Sequence, residues 1–377
     1  MSRPMLHAIL NECRHFGKKE IRPSCLAADA ASDWGWAKTV CRRSAVMDIP
    51  NLMIPENPPQ VMAGARICAA VLDVLAFECA SVASILAHHF AASIPLVASQ
   101  SPSANEFAVR AAGGDEVLLA GVLFPDEQEE NGLRLQETET GLALSGSLPL
   151  AGNAFAADWF CLFLDEGSNR PEITCLLVRK NQPGVAVGPD AGLPGLKANP
   201  FAPMTFTDVA IPPEAMLAER GKAGPLLNQT RSAFWGFIAA TAMGCARKAF
   251  QTAHTHAAQR YQFGRHIIRH PEIQRMLGQM LMKLNVGTAA YESLFQETDR
   301  GLPFPGLDAG LMKGFCADCA LEIALDAVQI HGGYGYMQEY GVEKLMRDAK
   351  VLQLLGGGST SHQIRCIAKG REAYGPR

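Results

Sequence analysis

Gln329-Ile330-His331-Gly332-Gly333-Tyr334-Gly335-Tyr336, then Arg347-Asp348-Ala349-Lys350, then Gly356-Gly357-Gly358-Ser359-Thr360-Ser361-His362-Gln363-Ile364-Arg365: these three segments decide how the rest of the chain is read. The first ends an apolar run, Leu321 to Ile330, whose only charged residues are Glu322 and Asp326. Those two acids share a face at i, i+4, so the run predicts a largely buried helix. Gly332 and Gly333 can terminate it, and glycine also lets backbone come close to a ligand. Tyr334 and Tyr336 are expected to pack at the turn.

Working outward, Ile273, Leu277, Met280 and Leu284 fit one face of an earlier helix, and the helical pattern begins near Glu214. Before it, from about Gly114 to Pro212, short apolar runs alternate with Gly, Pro, Asn and Asp. Glu116–Phe124, Gly141–Leu150, Trp159–Leu164, Ile173–Val178 and Met204–Ile211 read as antiparallel strands. From Met1 to about Ala112 the texture is helical and Ala-rich, with breaks near Pro50, Pro55 and Pro58-Pro59. Helices, strands and helices again imply an α+β chain in three parts. These are an N-terminal helical domain over 1–113, a middle antiparallel β-domain over 114–212 and a C-terminal helical bundle over 213–377.

The 377 residues suffice for a large core, and 48% hydrophobic with 19% charged residues is too apolar for disorder. A net charge of −3 leaves no basic excess for nucleic acid. The eleven cysteines are scattered and odd in number, which indicates a reducing, cytoplasmic setting rather than a disulfide framework. Cys316 and Cys319 have CxxC spacing without a second pair, so they read as buried structural thiols and no metal site is expected. The apolar region Met62 to Ala98 carries Arg66, Asp73, Glu78, His88 and His89, which suits packed helices better than membrane insertion. No GxGxxG follows a strand, so no Rossmann site is signalled.

The three C-terminal segments resemble the signature of the acyl-CoA dehydrogenase family. Phe206-Thr207-Asp208-Val209-Ala210-Ile211-Pro212 is similar to the end of that family's β-domain, and Arg260-Tyr261-Gln262-Phe263-Gly264 to its arginine–x–x–phenylalanine–glycine motif. The resemblance implies FAD bound at subunit contacts of a homotetramer or dimer, an acyl-CoA thioester against the flavin, and electron-transfer flavoprotein as a possible partner. It places Arg260, Gln262 and Phe263 against a neighbour's FAD, Gln329, Gly332 and Gly333 near the adenosine end, and Thr360 beside the cofactor. A guanidinium suits a pyrophosphate.

The family reaction removes a proton α to the thioester while a hydride leaves the β-carbon for the flavin. It needs a base, a flavin and donors to the thioester oxygen. The family's base is the glutamate of a glutamate–glycine–threonine sequence. Counting from Arg347-Asp348 puts that position at Gly356, and counting back from Thr360-Ser361 puts it at Gly358. Either glycine can offer a backbone N–H to the thioester oxygen, but neither can take a proton. Some members carry the base just before an arginine on another helix, where this chain has Thr230-Arg231, a substrate-binding pair without a base. His88 is a candidate substitute base and His89 adjoins it; His362 and Glu339 read as structural. The family's threonine–glutamate–proline loop corresponds to Leu123-Phe124-Pro125-Asp126-Glu127. The tryptophan–isoleucine–threonine strand beside the flavin ring corresponds to Leu150-Ala151-Gly152, so hydroxyl donors are lost there. Trp159 reads as β-domain core.

Three readings follow: an acyl-CoA oxidoreductase with a relocated or substrate-supplied base; a flavoenzyme of the same fold with elimination or monooxygenase chemistry; or a non-catalytic partner subunit completing the FAD site of a catalytic paralogue in a hetero-oligomer.

Overall fold

A computed structural model describes residues 3–54, 64–99, 101–104, 106, 119–124, 132–139, 141–167, 171–299 and 306–374. The chain begins with helices α1 (Arg3–Phe16), α2 (Cys25–Ala31), α3 (Trp34–Arg43), α4 (Ala65–Ala76) and α5 (Ala80–Ala98). Asp33 caps α3 by accepting from Trp36 N–H at 2.8 Å. By length and composition α5 is apolar enough to cross a membrane, yet 94% of its apolar window is buried inside the fold. That burial explains why it carries so few charges.

Among the described residues seven strands follow: β1 (Ala120–Leu123), β2 (Arg134–Thr138), β3 (Gly141–Ala151), β4 (Trp159–Asp165), β5 (Ile173–Arg179), β6 (Val185–Val187) and β7 (Ala202–Ile211). They form two sheets, ordered β1-β4-β5 and β2-β3-β7-β6. The second sheet is antiparallel throughout. In the first, β4 and β5 are antiparallel, but β1 runs parallel to β4 in the register Ala120 to Trp159 and Leu123 to Leu162. That pairing corrects the expectation of an all-antiparallel block. A parallel pair needs a crossover, and β2 and β3, in the other sheet, lie in this one. Trp159 is buried in the core, with the Arg179 guanidinium 4.5 Å from its ring. Of the expected strand Glu116–Phe124, residues 116–118 lie outside the described residues, as do 125–127 of the following loop.

The second helical part comprises α6 (Gly224–Gln259), a hairpin of β8 (Tyr261–Gln262) and β9 (Arg265–His266), α7 (Pro271–Asp299), α8 (Gly306–His331), α9 (Val342–Leu354) and α10 (Ser359–Tyr374). Helix α6 is central, packing against α8, α4, α5, α7 and α9. Leu277, Met280 and Leu284 of α7 are buried, as their spacing requires. In α8 the apolar run is only partly covered: Ile323, Ala327 and Ile330 are buried, whereas Leu325 is exposed; earlier in the helix Cys316 and Cys319 are buried and Phe315 is exposed. All eleven cysteines are free and buried.

The Arg347-Asp348 pair has a structural explanation. Asp348 is fully buried, accepts from Leu196 N–H at 2.7 Å and pairs with Lys344. Arg347 holds Asp29 at 2.7 Å and the Pro194 carbonyl at 2.6 Å. One turn of α9 thus clasps the N-terminal helices and the loop that leads into β7.

Candidate active site

An apolar cavity of about 320 Å³ lies where α5, β1, β3, α6 and α9 meet. That is within the size range of small-molecule sites. Each element contributes by its own periodicity. Strand β3 presents every second residue, Leu148 and Leu150, with Gly152 just beyond its end. Helix α5 contributes His88, α6 contributes Phe234, and α9 with the turn after it contributes Val351, Leu354, Leu355 and Gly356. Phe124 and Phe201 complete aromatic walls. Lys350 lies at the rim, bonded to Gln353 Oε1 at 2.7 Å. No carboxylate is among the described lining residues.

His88 is 3% exposed, and neither ring nitrogen has a hydrogen-bond partner. Burial pushes its pKa down to about 4; the Val122 main chain opposes that shift without reaching bonding geometry. The ring is neutral near pH 7. His89 behaves differently: its Nε2 contacts Pro50 O at 2.8 Å and its Nδ1 accepts from Ala120 N–H at 3.0 Å. It ties α5 to β1 and to the preceding loop.

The glycine loop is held from both sides. Trp235 Nε1 donates to Gly356 O at 2.7 Å. Lys313, fully buried on α8, donates to Gln353 O at 2.8 Å and Gly357 O at 2.6 Å, at the negative end of α9. Burial lowers the Lys313 pKa to about 7, with Asp318 opposing. The three glycines are not equivalent. Gly356 lines the cavity with φ +75, and a β-carbon there would lie 3.2 Å from the Trp235 ring. Gly357 has φ +104 and adjoins the His362 ring. Gly358 has open space around it and an ordinary backbone conformation. His362 is buried behind this loop with its ring centroid 4.8 Å from that of Trp235.

Other residues singled out by sequence fall in three places. Thr230 is fully buried with an unpartnered hydroxyl, and the Arg231 guanidinium lies 5.8 Å from the Phe124 ring beside the cavity. Thr360 is exposed at the start of α10 and does not line the cavity. Arg260, Gln262, Phe263, Gln329, Gly332 and Gly333 gather at the far end of α6 and α8. There Arg260 lies 5.3 Å from the Tyr334 ring, and His256 stacks on His331 at 4.2 Å. Phe263 occupies the hairpin tip with φ +53 and 90% exposure. A bulky residue in the left-handed region is strained, and here the strain holds an aromatic ring out into solvent. Tyr336, at the end of the 3₁₀ turn Gly332–Tyr336, is 83% exposed rather than packed at its turn. Glu339 is also exposed and outside the cavity.

Two residues escaped the sequence reading. Lys313 carried a signal, a single lysine within an apolar helical run. Trp235 did not stand out from the aromatic-rich start of α6. A larger cleft of about 670 Å³ between α1, α4, α6 and α7 has two of its acids engaged: Asp73 bonds Arg247 at 2.8 Å and Tyr291 Oη at 2.6 Å, and Glu78 holds Arg22 at 2.6 Å.

Residues 227–371 match the family model "Acyl-CoA dehydrogenase, C-terminal domain". A cyclohex-1-ene-1-carbonyl-CoA dehydrogenase from Geobacter metallireducens is 26% identical over 375 residues, covering 97% of both chains. Butyryl-CoA dehydrogenase from Megasphaera elsdenii superposes with a TM-score of 0.87 at 23% identity over 99% of each chain. The FAD complex of PigA superposes at 0.87 with 18% identity over 98% of each. Residues 227–371 thus carry the C-terminal domain of the acyl-CoA dehydrogenase family. The whole chain, with its helices, middle β-region and helical bundle, has the fold of the acyl-CoA dehydrogenase structures.

Proposed function

We propose that the chain is a FAD-dependent oxidoreductase acting on an acyl-CoA thioester, with the usual glutamate replaced by the glycine loop. The observation that carries this reading is the cavity itself: it is bounded by the loop at Gly356 on one side and by β3 at Leu150 and Gly152 on the other. The residues present fit a flavin. Aromatic walls suit a flat ring, and the unpaired imidazole of His88 suits a polar ring edge. When bound, FAD supplies the hydride acceptor. The chain's own residues exclude water through Phe124, Phe201 and Phe234, and they fix the loop through Trp235 and Lys313. Without an acid on the loop, the α-proton goes to a relocated or substrate-supplied base.

The hairpin residues support a cofactor site shared between copies. Phe234 at the cavity and Arg260 at the hairpin are separated by about 39 Å of helix at 1.5 Å per residue. One dinucleotide cannot touch both within one chain. Exposed Phe263, Met282, Val286, Ile364 and Ile367 offer apolar surface for a homo-oligomer. Eleven free thiols favour a cytoplasmic setting, and electron-transfer flavoprotein is the electron acceptor we propose.

An anaerobic titration of the FAD-loaded protein with a panel of acyl-CoA thioesters tests the reading. Bleaching of the flavin by at least one thioester is the expected result; absence of bleaching with every bound thioester rejects it. A second reading, a non-catalytic partner subunit, is favoured by one observation: Phe263 is held out into solvent while no acid is among the described residues lining this chain's cavity. It requires protein that is colourless alone and turns yellow only with a catalytic relative.

A further inference from the structure

His88 and Gly152 are sterically exclusive. A β-carbon on Gly152 would lie 2.6 Å from both Cε1 and Nε2 of His88, and 2.9 Å from the Phe201 ring. Those contacts are far inside van der Waals separation, so an imidazole at 88 and a side chain at 152 cannot share this space. Leu148 and Leu150 line the cavity from β3, and Gly152, in the turn just beyond the strand, lines it too. There the turn offers no side chain of its own, and α5 fills the place with a ring.

The adjacent histidines of α5 then differ in kind. His89 is satisfied by main chain at both nitrogens. His88 is as deeply buried, yet it leaves both nitrogens unpaired beside an apolar cavity. An unpaired buried polar group costs stability. Such a cost is offset when a ligand supplies the missing partner.

We infer that His88 is the hydrogen-bonding contact for the ring edge of a flat heteroaromatic cofactor, the flavin of the proposed function, and that Gly152 is the residue that admits it. The ligand in this inference rests on the flavin reading, while the steric exclusion stands on the geometry alone. A neutral imidazole donates from one nitrogen and accepts on the other, so it can meet either kind of atom on a heterocycle's edge. The role is that of a positioning contact, distinct from proton abstraction.

The test uses the whole chain. Three quantities are read: FAD affinity by quenching of flavin fluorescence, the visible flavin spectrum, and the thermal midpoint without FAD. His88→Phe keeps a ring and removes the nitrogens. It should bind FAD about tenfold more weakly, the loss of roughly one hydrogen bond, with a shifted visible band and no loss of apoprotein stability. Gly152→Ala should lower the apoprotein midpoint, and adding His88→Ala should recover it without recovering FAD affinity. Wild-type affinity and spectrum in His88→Phe would overturn the contact. Additive midpoint changes in the double variant would overturn the steric pair. A wild-type protein that binds no FAD rejects the flavin reading, and with it the ligand assigned to His88, while the midpoints still judge the exclusion.

Discussion

Trp235 Nε1 donates to the carbonyl of Gly356 at 2.7 Å, so an indole of α6 holds the glycine loop at the cavity. This bond separates two substitutions that look equivalent in sequence. Gly356→Glu places a side chain at φ +75 with its β-carbon 3.2 Å from the indole. It should cost about 1–3 kcal/mol of stability and displace Trp235. Gly358→Glu has open space and should unfold at the wild-type midpoint while raising any desaturation. Unchanged turnover in Gly358→Glu, with flavin and thioester both bound, would show that the missing acid is not limiting.

The two buried histidines set an acid limit. Burial pushes the pKa of each down to about 4 in the fold, against about 6.5 in an unfolded chain. Between those values the unfolded state binds more protons, so stability is complete above about pH 6.5 and falls as pH drops towards 4. Thermal midpoints measured across that window should fall steeply in the wild type. In His88→Phe the fall should be shallower, because only His89 remains to be protonated on unfolding. An identical slope in the variant contradicts the assignment.

Lys313 should matter more than an isolated lysine suggests. Lys313→Met removes both bonds to the carbonyls of Gln353 and Gly357 and leaves those acceptors facing an apolar side chain. A loss of about 2 kcal/mol in denaturant unfolding is expected, with faster amide hydrogen exchange across residues 355–358. Unaltered exchange there would mean that the loop is held by Trp235 alone.

The sequence was most legible where apolar spacing follows one period. The strands at Gly141, Trp159, Ile173 and Met204 are present close to their expected ends. β2 was missed because only Leu135 of its five residues is buried, which leaves no alternation to read. β6 was missed because it is a three-residue edge strand. The parallel β1–β4 pairing joins segments whose direction no local pattern encodes. At the site, the glycine loop and His88 could be picked out by residue type. The exclusion between His88 and Gly152 could not, since it depends on α5 meeting the turn after β3. Arg260 and Phe263 were read as cofactor residues, and their place at the opposite end of α6 from the cavity needed a fold to be seen.

Arg347 and Asp29 are 318 positions apart, yet they close the clasp on α9. During synthesis the first helices leave the ribosome long before their partner exists. Until α9 arrives, the carboxylate of Asp29 has neither Arg347 nor Lys344 beside it. The opening third of the polypeptide must therefore wait in a provisional state, and a nascent chain stalled before residue 347 should be a preferred client of chaperones and proteases.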